Sequence, residues 1–394
     1  MKKIGKILSV TLLVIALLII LVIAGLKISG YEYVIRAFSS TIMKGHTTTH
    51  IDDCIEFENN IIQAGVPLFW ELDEQYNQIP LTDTLRKELE TYKTIAFAII
   101  KDGKLFYEEY WDNYSDRSLT NSFSMAKSVT TMLLGKAIEQ GYIQSLEQPF
   151  TDFIPEFKSD SLALLCTIGD LSAMTSGLNW SEEYYSPFNP TTEAYFGDDV
   201  ESLMLKQHFS EKPGGHFNYL SANTQLLAMV LQRATGMSIS KYLEQEFWQP
   251  MGMEHDALWS KSGKMEKSFC CLNSNVRDFA KLGQLLLQQG NWNGQQLLDS
   301  AFVAKMVTPN YNAFDKDEPA TYGYSMWIDE KHEPAFYGMM GHLGQRILVI
   351  PSENTVIVRL GKIKDKRELN KGPLDTDNYY YVEEVMKMMS KGSD

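Results

Sequence analysis

The sequence predicts an α/β chain of the α+β kind. It would hold one antiparallel sheet flanked by helices, with an inserted, mainly helical lobe, behind an N-terminal transmembrane helix. Three observations predict it. Strand-like runs (TIAFAII and LFYEEYW, then RILVI and TVIVRL) stand at both ends of the region after residue 90, helical patterns fill residues 142–310 between them, and residues 7–26 carry no charge. With 394 residues the chain can bury a large core. Its 44% hydrophobic and 22% charged composition excludes a disordered or fibrous protein. A net charge of -14 argues against nucleic acid as a partner, because phosphate binding needs a basic face.

The N-terminus comes first. Lys2, Lys3 and Lys6 precede an apolar run long enough to cross a bilayer core of ~30 Å as a helix. Secretory signals have shorter apolar cores and end at small-residue cleavage sites, for which Ala24-Gly25-Leu26 and Ile28-Ser29-Gly30 are poor matches. The reading is an uncleaved single-pass anchor in a bacterial cell membrane, with a cleaved signal and a secreted or periplasmic product as the alternative. The lysines place the N-terminus inside and the rest extracytoplasmic, though Lys27 and Arg36 reduce the asymmetry. Residues 1–30 are thus an anchor or signal, 31–90 a juxtamembrane lead-in, and 91–394 the soluble domain.

Within the lead-in, Thr82-Asp83 is a helix start. TIAFAII and LFYEEYW across Asp102-Gly103 form the clearest hairpin. A helix follows from Ser124 to Gln140, stopped by Gly141, and further helices are expected at 221–235, 239–249 and 275–289. YGYSMWI, RILVI and TVIVRL return to strand, and a helix around 379–390 closes the chain. Four cysteines make no disulfide framework in a chain this long; adjacent Cys270 and Cys271 are expected unpaired and buried. The scattered histidines form no ligand grouping, so no metal is expected.

The S-x-x-K spacing occurs twice, at Ser124/Lys127 and at Ser238/Lys241, so spacing alone decides nothing. Ser238 opens a charged helix, where it reads as an ordinary cap. Ser124 opens MAKSVTTMLLGKAI, apolar on nearly all sides and therefore buried. A lysine there is costly as a charge, and burial lowers its pKa toward that of a useful base. A serine at a helix N-terminus also offers its own N–H to a developing oxyanion. Against this stands a cap at Ser124 with Lys127 reaching to water. Tyr219-Leu220-Ser221, just ahead of a helix, adds a phenol that a nearby cation would make acidic. Alone, it would be a core tyrosine and another cap.

In that order, S-x-x-K, Tyr-x-Ser and then a Gly-rich strand, the sequence resembles the serine β-lactamase and penicillin-binding-protein superfamily. The likeness is to its class C-like branch, which includes family VIII esterases and aminohexanoate-dimer hydrolases. It covers roughly residues 92–362 and extends to TIGDLSAMTSGLNW, FNYLSANTQLLAMVLQRATG and CCLNSNVRDFAKLGQLLL. The resemblance implies a β-lactamase/transpeptidase-like fold and attack by Ser124 on a carbonyl to form an acyl-enzyme. Lys127 and Tyr219 would share the proton work, and Ser221 would bond Lys127 or the substrate. GHLGQRILVIP, counted back from Pro351, matches the family's Gly-rich strand and puts Phe336-Tyr337-Gly338 at its third triplet, with Met339 donating the oxyanion N–H. The cation and hydroxyl that hold a β-lactam carboxylate are missing from that triplet. His342, in a second H-x-G candidate, and Arg346 are further site candidates. So are Trp180, Tyr184 and Tyr185 in the pocket loop, and Asn273 on the substrate side.

The function expected is a serine hydrolase cleaving an ester or amide, without metal or organic cofactor. Its partners would be a small-molecule or peptide substrate and the membrane. A D-alanyl peptidase or a β-lactamase-type enzyme is the alternative among enzymes. A non-catalytic penicillin or peptide sensor is the alternative outside them.

Overall fold

The computed structural model describes residues 2–184, 186–367, 369 and 371–391. An apolar helix, Lys2–Ile28, leads through a turn into a second helix, Glu32–Ser40, that the sequence reading did not foresee. Residues 31–90 do not stand apart as a lead-in. Tyr33 of the second helix is buried in the main core, and Asn59–Ile62 pairs antiparallel with Ala257–Ser262 at the edge of a small sheet.

The main sheet has six antiparallel strands in the order Trp327–Asp329, Phe336–Gly341, Gln345–Ile350, Thr355–Gly361, Thr94–Lys101, Lys104–Tyr110. Strands from both ends of the domain therefore meet at its centre. Asp102 and Gly103 make the expected hairpin turn, both at positive φ (51° and 78°), which matches the strand twist. The central strands are buried on both faces, hence their near-continuous apolar runs. One face packs on the Val276–Leu287 helix and the main core. The other packs on Asp83–Thr91 and Thr376–Ser390 through Leu85, Leu89, Tyr381 and Val385.

The helical lobe lies between residues 125 and 306. Met125–Glu139 is buried along nearly its whole length, as its apolar pattern requires, and packs against Ser221–Thr235. Ser238 is the cap expected of it: its hydroxyl accepts from Lys241 N at 3.2 Å, while Lys241 pairs with Glu244 at the surface. One cysteine expectation is corrected. Cys270 and Cys271 form a disulfide with each other, the chain turning at Cys271 with φ 70°, so that neighbouring thiols meet where an extended backbone would part them. Cys54 and Cys166 are buried free thiols.

Candidate active site

Asn121 sets the start of the Ser124 helix. Its Oδ1 accepts from Phe123 N at 2.8 Å and from Cys271 N at 3.1 Å, holding Phe123 in the left-handed region at φ 46°. Strained backbone of this kind persists only where its surroundings over-determine it. Ser124, next along, is half-buried and lines two cavities that meet at it.

One turn further, Lys127 is only 1% exposed, and its Nζ donates to Ser124 Oγ at 3.0 Å and to Phe269 O at 2.9 Å. Both acceptors are neutral. Burial lowers its pKa from 10.5 to about 8, and the Glu182 carboxylate opposes that fall. Lys127 Nζ also lies 5.0 Å from the centre of the Tyr219 ring. The expectation that this cation makes Tyr219 acidic is not met. Burial, with Glu182 adding to it, raises the phenol above its ordinary value, and the bond with Ser124 offsets only part. At neutral pH Tyr219 holds its proton, and of the two groups Lys127 is the one that burial moves toward the neutral form.

Glu182 is the residue sequence reading missed. Its carboxylate accepts from Ser221 N at 2.7 Å, from Ser221 Oγ, from Trp180 Nε1 at 3.0 Å and from Tyr184 OH at 2.7 Å. Ser221, expected on Lys127 or the substrate, instead spends its hydroxyl on Glu182. Trp180 is buried and orients this carboxylate, whereas Tyr184 is 46% exposed and lines both cavities. Nothing in the WSEEYYSPF loop marks Glu182 by periodicity, since Ser221, the partner that ties it to the site, stands 39 residues further along the chain. Tyr185 lies outside the described residues.

The strand end that reaches Ser124 lies three residues beyond the glycine of the expected triplet, at Gly341 rather than Gly338. The strand runs to Gly341, and a three-residue turn, His342–Gly344, joins it directly to Gln345–Ile350. Met340, Gly341 and His342 line the Ser124 cavity, whereas Met339 is buried in the main core and Gly338 pairs with Trp327. A side chain at Gly341 would meet Ser122 O at 2.3 Å, so only glycine lets this strand end approach the Ser124 turn. Asn273 is also corrected: it is wholly buried, its Nδ2 donating to Cys271 O at 2.8 Å within the small sheet.

His342 stacks on Tyr184 with ring centres 5.8 Å apart, and burial followed by Lys364, Lys366 and Arg346 lowers its pKa to about 4. It is therefore neutral near pH 7. The wider cavity, about 390 Å³, is lined by Ser124, Tyr219, Trp327, His342, Arg346 and Lys364. Its cations are committed, Arg346 to Asp375 and Asp377 at 2.9 and 3.1 Å and Lys364 to Asp375 at 2.8 Å. The narrower cavity, about 60 Å³, lies between Ser124, Phe123, Phe196, Phe269 and Cys270.

A model of the beta-lactamase family matches residues 81–373. The 6-aminohexanoate-dimer hydrolase of Paenarthrobacter ureafaciens is 23% identical over 304 residues, covering 71% of this chain and 76% of that one. A Bacillus anthracis structure assigned as a 6-aminohexanoate-dimer hydrolase superposes with a TM-score of 0.73 at 21% identity, over 89% of this chain and 93% of its own. A class C beta-lactamase variant superposes at 0.57 and 16% identity, over 78% and 95%. Structural likeness at such identities is one of fold.

Proposed function

The chain belongs to the beta-lactamase family, and from that premise we propose a membrane-anchored hydrolase that cleaves an ester or amide through an acyl-enzyme on Ser124. The observation that carries this reading is the contact from Lys127 Nζ to Ser124 Oγ, made by a buried amine with no charged hydrogen-bond partner among the described residues. When Lys127 is neutral, its Nζ takes the Ser124 proton as Oγ bonds to the substrate carbonyl carbon. The oxyanion would lie against the backbone N–H of Ser124 and that at the end of the Gly341 strand. The bond to the leaving oxygen or nitrogen then breaks, and that atom takes a proton relayed through Tyr219. Water next gives a proton to Lys127 and attacks the acyl carbon; the Ser124–acyl bond breaks and Oγ regains its proton. Arg346 and Lys364 are already paired, which favours an uncharged ester or amide over a β-lactam carboxylate.

The test is a pH profile. Lys127 must lose a proton to act, so kcat/KM on a p-nitrophenyl ester should rise with pH through a limb near pH 8. Glu182→Gln removes a negative charge that favours the ammonium form, and should move that limb to lower pH. A flat profile, or a limb moving upward, removes Lys127 from the role of base. A stable adduct on Ser124 without product would support the sensor reading instead.

Anchoring rests on the Lys3–Ile28 span, which buries none of its most apolar stretch in the protein. The full chain should sediment with membranes, and a protease added to intact cells should reach the domain. A protected domain would reverse the orientation.

A further inference from the structure

We propose that the substrate is an amphiphile resident in the bilayer, whose acyl chain enters a groove at the foot of the anchor helix and runs from there to Ser124. This rests on the acyl-enzyme reading above and names the substrate class of that site.

The Glu32–Ser40 helix follows the Lys2–Ile28 helix after a turn of three residues. It is docked on the domain by the buried Tyr33 and by Arg36, which donates to Phe196 O at 2.8 Å and pairs with Asp198. Its other face carries Val34, Ala37, Phe38 and Thr41 at helical spacing, with Ile42 just beyond, and these line one wall of a groove of about 400 Å³. Residues 47–49 and Ser186, Pro187, Thr192 and Phe196 complete it. No described residue lining it is charged. Phe38 and Ile42 are 54% and 52% exposed at its mouth, and Met43 beside them 72%. Such a rim next to a membrane span sits at the depth where an amphipathic helix meets the acyl boundary.

The groove abuts the narrow cavity at Ser124. Thr48, Thr49, Tyr184, Thr192 and Phe196 line both, so only these side chains stand between the two. The wider cavity at Ser124 is bordered instead by Arg346, Lys364 and Asp375. An acyl chain from the membrane fits the uncharged side, and a polar leaving group the charged one. The volume is that of an ordinary small-molecule pocket. Each methylene buried in it would favour the acylation transition state by up to about fourfold.

The experiment uses the full chain in phospholipid vesicles and compares kcat/KM on p-nitrophenyl decanoate with that on the acetate. The ratio is read in wild type, in Ala37→Trp, which fills the groove, and in Ile42→Glu, an exposed position at its mouth. Partitioning of the long ester into lipid is common to all three and cancels between them. Both variants should lower the decanoate-to-acetate ratio by tenfold or more. If Ala37→Trp fails to fold, Ile42→Glu decides alone. A ratio within twofold of wild type overturns the groove while leaving the hydrolase intact. Loss of both esters in the wild type, or turnover that survives Ser124→Ala, overturns the acyl-enzyme reading itself.

Discussion

Ser124→Ala is expected to lower kcat on a p-nitrophenyl ester by about 10⁴-fold or more. The substitution removes the oxygen that bonds to the substrate and leaves the helix, the cavities and Lys127 in place. Ser124 is half-buried and makes no side-chain cap bond, so little of the fold depends on its hydroxyl. Residual turnover would come from the oxyanion donors and binding alone. The second S-x-x-K supplies a control within the same chain. Ser238→Ala removes a surface cap worth about 1 kcal/mol and should leave kcat within about twofold. Near-normal turnover in Ser124→Ala would end the nucleophile assignment, and a large loss in Ser238→Ala would end the choice between the motifs.

Lys127→Met should lower kcat/KM by roughly 10²- to 10⁴-fold, the usual worth of a positioned base. Its effect on stability should run the other way. Folding takes this ammonium out of water, and its pKa falls from 10.5 to about 8. Between those values the unfolded chain binds the extra proton, so stability rises with pH across that window. Below pH 8 the folded protein carries the whole penalty, on the order of 3 kcal/mol. Methionine fills similar space without the charge, though it abandons the bond to Phe269 O. Thermal unfolding at pH 7 should therefore give a Tm at or above that of wild type. A Tm well below it would make Lys127 a structural prop and weaken its part in the chemistry.

Both substitutions fall on residues that the sequence singled out, because the evidence for them is local. Three residues along a helix place Ser and Lys on one face, and an apolar helix surface implies burial of whatever polar group it carries. The Asp102-Gly103 hairpin, the Thr82 cap and the Gly236 and Gly290 stops are legible for the same reason. The third motif was not. Which strand residues reach Ser124 depends on a turn whose Leu343 and Gly344 take positive φ, and a count from Pro351 carries no information about that turn. Asn273 looked like a site residue only by position in the chain; strand pairing with Asn121 turns it into the small sheet.

Sequence alone determined the buried helix that carries Ser124 and Lys127, the structural difference between the two S-x-x-K copies, and the antiparallel sheet joined from both ends of the domain. Each follows from contacts within a few residues or from apolar periodicity. Tertiary structure alone decided that Glu182 gathers Ser221, Trp180 and Tyr184, that burial raises the pKa of Tyr219 and lowers that of Lys127, and that Gly341 rather than Gly338 reaches the Ser124 turn. It also decided that the Glu32–Ser40 helix lines a groove sharing wall residues with the narrow cavity at Ser124. All of these depend on desolvation and on approach between distant segments. Neither quantity exists until the chain has packed.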